Sequence, residues 1–259
     1  MSIQVWSYLD EYRELREDIL AEVDRVFQSG RLILGDNVSN FEQSMATWCG
    51  VRHGVGVNSG TDALFLGLKA LGIRDGDEVI TVANTAVPTV SAIVSAGGVP
   101  RFVDIDPDTY LMDVRQLADA LTPATRAVLP VHLYGQCVDM QPLMAFAGKH
   151  DLKVLEDCAQ STGALYQGKK AGSLGHMSAF SFYPTKLLGG YGDGGMVLCD
   201  EEAMSDKLKS LRMYGMTGTY YAEEHGYKSR LHEVQAAILA LKLKHMARWL
   251  DRRRHLADR

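Results

Sequence analysis

A chain of 259 residues with 46% hydrophobic content and a net charge of −5 has enough apolar mass for one large domain or two smaller ones. It lacks the basic footprint that nucleic-acid binding requires, and the Arg252-Arg-Arg254 run reads as a solvated helix face. Four cysteines, Cys49, Cys137, Cys158 and Cys199, lie far apart with no C-x-x-C pair; nothing indicates a zinc site or a disulfide framework, and free thiols suit a reducing cytoplasm.

Neither a charged-then-apolar leader nor an apolar run near the ~18 residues of a membrane span occurs. The expectation is a soluble, cytoplasmic protein with no membrane or nucleic-acid partner. Apolar Leu9, Tyr12, Leu15, Ile19, Val23 and Phe27 recur at three- and four-residue steps, predicting an amphipathic helix over 7–27. A second helix is predicted from Asn37, with Val38, Phe41, Met45 and Trp48 on one face and Gly50 as its stop.

Next come a strand at 53–57, the polar loop Asn58-Ser-Gly-Thr-Asp62 and a helix at 63–71. Such a loop presents free backbone N–H groups and a hydroxyl at the positive end of a helix, a setting suited to phosphate. Ser and Thr also cap helices that bind nothing. Strands at 78–83, 100–105, 127–131 and 153–156 then alternate with helices at 87–96, 113–121 and 141–149. That alternation predicts βαβ units on a mostly parallel sheet flanked by helices, an α/β fold. A strand at 195–199, a helix at 201–214 and a polar, aromatic loop at 215–228 follow. A long helix from Ser229, carrying Leu231, Val234, Ile238 and Leu241, runs toward Arg259.

In open α/β sheets, ligands bind beyond the carboxyl ends of the strands. Three polar segments fall there: Asn58 to Thr61, Asp157-Cys-Ala-Gln160, and Ser181 to Lys186. An acid at Asp157, directly after an apolar strand, is costly unless paired, although an N-cap or exposed turn would also account for it. Lys186 ends an apolar run and precedes five glycines within 189–195, a density that permits close backbone approach. A lysine held there can lose its proton by desolvation and attack a carbonyl, which is Schiff-base chemistry; taken alone, the motif reads more simply as a surface lysine in a flexible loop.

Together these segments resemble the DegT/DnrJ/EryC1/StrS family of sugar aminotransferases, pyridoxal-phosphate enzymes of the aspartate-aminotransferase fold (fold type I). The resemblance rests on G-V-N-S-G-T-D-A-L at 56–64, F-V-D-I-D at 102–106, P-V-H-L-Y-G-Q at 130–136, E-D-C-A-Q at 156–160, F-S-F-Y-P-T-K at 180–186, G-D-G-G at 192–195 and S-R-L-H-E-V-Q-A-A-I-L at 229–239. It implies that Lys186 carries pyridoxal 5'-phosphate and shuttles protons. It further implies that Asp157 pairs with the ring nitrogen, Gln160 supports the ring or its phenolic oxygen, and Ser181, Gly60 and Thr61 hold the phosphate.

The implied reaction is transfer of an amino group from L-glutamate to a nucleotide-linked keto-deoxysugar, in a homodimer with shared active sites. The implied setting is deoxysugar biosynthesis feeding lipopolysaccharide O-antigen or glycosides, with no metal. The N-terminal helix and the 215–228 loop are the segments expected at the subunit interface. Some positions depart from the family pattern. Thr85-Ala86-Val87 stands where many members have a ring that stacks on the cofactor, Lys228 stands where Asn commonly reaches the partner's phosphate, and Thr162 stands where His is common. The expected division is a cofactor-binding domain over 1–244 and, over 245–259, the end of the long helix that leads to a C-terminal domain missing from this sequence. The alternative is a catalytically silent member that acts in cofactor binding, regulation or assembly.

Overall fold

The computed structural model describes residues 5–218 and 220–259. The apolar runs form β1 (His53–Val57), β2 (Glu78–Val82), β3 (Val99–Val103), β4 (Thr125–Val128) and β5 (Lys153–Asp157). After the small hairpin of β6 (Leu165–Tyr166) and β7 (Lys169–Lys170) come β8 (Met177–Ser181) and β9 (Gly195–Cys199), then a second hairpin of β10 (Met216–Gly218) and β11 (Tyr221–Ala222). The helices are α1 (Leu9–Ser29), α2 (Asp36–Cys49), α3 (Gly60–Ala70), α4 (Val87–Ser95), α5 (Leu117–Ala120), α6 (Met140–Lys149), α7 (Glu202–Leu211), α8 (Glu233–Leu243) and α9 (Met246–Ala257). None is long and apolar enough to cross a membrane, among the described residues.

Seven strands make one sheet in the order β1-β9-β8-β5-β4-β2-β3. The pairs from β8 through β3 are parallel, and β9 alone runs antiparallel to both its neighbours. Alternate side chains of one strand enter opposite cores. Ala179 and Val197 join the larger cluster with Leu64 and Leu68 of α3, Ile93 of α4 and Leu208 of α7. Phe180, Met196 and Leu198 join the cluster on the other face with Phe41 and Met45 of α2 and Leu239 of α8. Leu15 and Ile19 then seat α1 on Ile238 and Leu241 of α8. A sheet covered on both faces explains why β8 and β9 are buried along their whole length.

Several elements differ from expectation. The helix expected to run unbroken from Ser229 begins at Glu233 and breaks at Lys244-His245 into α8 and α9. Residues 228–232 are instead drawn out by cross-segment pairing: Lys228 bridges Met213, His232 bridges Ile33, and Ser229 N donates to Arg212 O. The helix expected over 201–214 stops at Leu211, because Tyr214 and Gly215 turn left-handed at φ 63° and 76°. The helix expected over 113–121 is a 3-10 turn and the four-residue α5, since Asp113 draws Arg115 and Gln116 onto its carboxylate. The expected loop at 215–228 contains the β10–β11 hairpin.

Candidate active site

Val57, Gly195 and Ser181 face one another across β1, β9 and β8, so the carboxyl ends of β1 and β8 lie at the same end of the sheet, on either side of the start of β9. Beyond β1 the chain turns directly into α3. Ser59 caps that helix, its hydroxyl accepting from Asp62 N at 3.1 Å. Gly60 and Thr61 supply the first amides of the helix, which no carbonyl of α3 can reach. A Cβ at Gly60 would lie 2.5 Å from Ser181 Cβ, so only glycine lets the α3 N-terminus close onto Ser181. Ser229 locks the same turn from outside: its hydroxyl donates to Asp62 Oδ2 at 2.6 Å and accepts from Asn58 N at 3.0 Å.

Asp157 closes β5, one parallel strand over, opposite Ala179 of β8. It is buried, and its Oδ1 accepts from Ala159 N at 3.1 Å and its Oδ2 from the Thr89 hydroxyl at 2.8 Å. Burial pushes its carboxyl above the usual aspartate range, against the pull of those two bonds and of the Lys186 ammonium. Lys186 sits in the turn after β8, its N donating to Tyr183 O. It is half-buried, and desolvation holds its amine below the ordinary lysine value, with Asp157 opposing that shift.

Lys186 and Gln160 line one cavity of about 900 Å³ together with Tyr134 and, from α9, Arg253 and Arg254. Tyr134, at φ 57°, holds a left-handed conformation on its rim. The structure therefore gathers Lys186, Asp157, Gln160, Ser181, Gly60 and Thr61 at one end of the sheet. Lys228 stands apart: it is exposed and makes no ion pair among the described residues, although the neighbouring Ser229 reaches the α3 turn. The Thr85-Ala86-Val87 segment offers no ring; Ala86 precedes α4, and Val87 is exposed.

Sequence reasoning overlooked Thr89 and Ser229. A hydroxyl in the first turn of α4, just beyond the end of β2, was the available signal for Thr89. Ser229 was absorbed into a helix that does not begin there.

The sequence and the fold match a known family. The sequence profile described as the DegT/DnrJ/EryC1/StrS aminotransferase family matches residues 13–259. The chain belongs to that family. It is 50% identical over 260 residues to the dTDP-3-amino-3,4,6-trideoxy-alpha-D-glucose transaminase of Micromonospora megalomicea subsp. nigra, covering 100% of this chain and 70% of that one. It is also 44% identical to the Pleiotropic regulatory protein of Geobacillus stearothermophilus, covering 98% of this chain and 68% of that one. The crystal structure of S. venezuelae DesV in complex with a ketimine intermediate superposes with a TM-score of 0.95 at 43% identity, covering 97% of this chain and 68% of that one.

Members of the DegT/DnrJ/EryC1/StrS family work with pyridoxal phosphate, and the residues present fit that group. The open amides of α3 beside the Ser181 hydroxyl suit a phosphate. A wholly buried carboxylate with one hydroxyl and one N–H donor has acceptor capacity left for a cationic ring nitrogen. A half-buried amine with a depressed pKa suits an aldehyde.

Proposed function

We propose that this chain is a sugar aminotransferase that takes the amino group of L-glutamate and delivers it to a keto-deoxysugar carried on a nucleoside diphosphate. The observation that carries the reading is Lys186: an amine with a depressed pKa, coupled to the buried Asp157, on the wall of an open cavity. Pyridoxal phosphate, when bound, supplies the electron sink that makes the α-carbon proton of the amino donor removable. Lys186 Nζ is the base that takes and returns that proton. Asp157 holds positive charge at the ring nitrogen, Gln160 supports the ring, and Gly60, Thr61 and Ser181 bind the phosphate.

In this reading, residues 1–244 form the cofactor-binding unit and 245–259 the helix leading onward from it. The four free cysteines support a cytoplasmic setting. Purified protein given pyridoxal phosphate is expected to develop a visible absorbance band that Lys186→Ala lacks. L-Glutamate should bleach the band, and one of a panel of keto-sugar nucleotides should restore it. A protein that never develops the band would exclude the reading.

A second reading, a binding or regulatory member without turnover, draws on the resemblance to the Pleiotropic regulatory protein of Geobacillus stearothermophilus. A band that forms but does not respond to any amino donor would favour it.

A further inference from the structure

The hydrogen bonds behind Asp157 have a direction that donor counting fixes. Thr89 Oγ1 lies 2.8 Å from Asp157 Oδ2 and 2.6 Å from Thr85 Oγ1. Each hydroxyl carries one hydrogen, and an ionised carboxylate only accepts. Thr89 therefore gives its hydrogen to Asp157, and Thr85 must give its own to Thr89. The resulting order is Thr85, Thr89, Asp157.

Local structure holds both threonines to this task. Thr89 is fully buried in the first turn of α4, where Pro88 fixes the backbone and Thr89 N donates to Ala86 O. Its β-branched side chain has few rotamers available there. Thr85 is half-buried in the connection between β2 and α4, its N bonded back to Ala83 O. On the opposite side, Ala159 N occupies Oδ1. The carboxylate is thus gripped from α4 and from its own strand end, and its remaining lone pairs are aimed by that grip.

We propose that Thr89, oriented by Thr85, is a positioning residue for Asp157, holding the carboxylate ionised and aimed at the ring nitrogen of pyridoxal phosphate. The proposal rests on the site assignment made above. It gives the Thr85-to-Thr89 segment a role in place of the ring stacking that its side chains do not offer.

Two other titratable groups face Asp157: Lys186 from the turn after β8 and His132 from the segment after β4. Glu156, the next residue along β5, points to the opposite face of the sheet and is satisfied by its own donors. Burial already favours the protonated carboxyl, and the Thr89 hydroxyl is one of the few contacts that oppose it.

The test uses full-length protein stripped of cofactor, with pyridoxal phosphate binding followed by fluorescence quenching. Thr89→Val keeps the shape and removes the hydroxyl; it is expected to weaken binding about tenfold or more, the usual scale for a lost bond to a charged group. Thr89→Ser should recover most of the loss, and Thr85→Val should lose less than Thr89→Val. As pH falls, the affinity of Thr89→Val should begin to drop at a higher pH than that of the unsubstituted protein, because its Asp157 protonates sooner. On an Asp157→Asn background, Thr89→Val should add little further loss.

Melting curves of the stripped variants separate misfolding from lost binding, and the serine variant keeps the test open if valine is not tolerated. Equal affinity and equal pH dependence in Thr89→Val and the unsubstituted protein would overturn the proposal. So would a loss of the same size on the Asp157→Asn background. Failure of the unsubstituted protein to bind pyridoxal phosphate would instead overturn the site assignment and take the proposal with it.

Discussion

Glu156 shows how far a single residue's role can lie from what its sequence neighbours suggest. It is fully buried, and it accepts from His132 Nε2 at 2.9 Å and from the backbone N–H groups of Gly172, Leu174 and Gly175 at 2.9, 2.8 and 2.7 Å. His132 Nδ1 accepts from Val138 N, so its one proton sits on Nε2 and Glu156 is the ionised partner. Burial alone would raise the Glu156 carboxyl; the His132 bond and the amides outweigh it and hold the pKa below its ordinary 4.5. A depressed folded pKa means stability that is present above the unfolded value and lost as pH falls through the folded one. Glu156→Gln, which turns an NH₂ toward those donors, is expected to cost about 3 kcal/mol or more near neutral pH. The deficit should shrink below pH 4.5, as followed by urea melts at several pH values, and a pH-independent deficit would contradict the assignment. The E-D-C-A-Q segment marked Asp157 and Gln160 as candidates, Asp157 because an acid after an apolar strand is costly unless paired and Gln160 through the family resemblance. Glu156 stayed hidden because most of its donors are backbone amides of the 172–175 turn, and backbone amides carry no sequence signal.

At the scale of elements, periodicity located the large helices, with α8 and α9 merged into one. Two of its failures are local, the Asp113 turn and the left-handed Tyr214-Gly215 stop, and the late start of α8 comes from what periodicity does not see. It registers burial and is blind to pairing and capping across the chain. Helix α2 illustrates this: no side chain of its own segment caps its N-terminus. Glu233, at the start of α8, accepts from Gly35 N, Asn37 N and Val38 N at 2.7, 3.0 and 3.0 Å, and from Asn37 Nδ2 at 2.8 Å. The acid complements the positive end of α2 and satisfies its open amides. That bond network also explains why α8 starts at Glu233, four residues beyond the predicted Ser229. The chain before it is committed to pairing with 31–34 and 212–213. Glu233→Ala should therefore destabilise the protein by about 0.5–2 kcal/mol, the ordinary value of a cap, with hydrogen exchange rising at 35–40 more than in α3. Exchange that rises evenly over the chain would mean that Glu233 acts on the fold at large and not as a cap in trans.

For the whole molecule, Lys228 bears on how the chain would assemble. Among the predicted site residues it alone lies outside the cluster, yet its surroundings are not those of an ordinary surface lysine. It bridges Met213, and four residues on His232 bridges Ile33. Leu32, Ile33 and Tyr214, which flank these bridges, are exposed at 51, 39 and 44%. Apolar side chains gathered around a lysine that makes no ion pair among the described residues fit a surface covered by a second copy of the chain, which would bring Lys228 to that copy's phosphate as a point charge. Light scattering at micromolar concentration should then give a dimer. A mixing experiment distinguishes action across the interface from action within one chain. Lys186→Ala and Lys228→Glu proteins should each lack the cofactor-dependent reaction with glutamate. If Lys228 serves the other subunit, a mixed dimer contains one site with Lys186 from one chain and Lys228 from the other, both intact. Unfolding and refolding the two variants together should restore about a quarter of the unsubstituted rate, because random pairing makes half the dimers mixed and each mixed dimer has one good site of two. If Lys228 serves its own chain, no combination of the two variants contains a complete site, and mixing restores nothing.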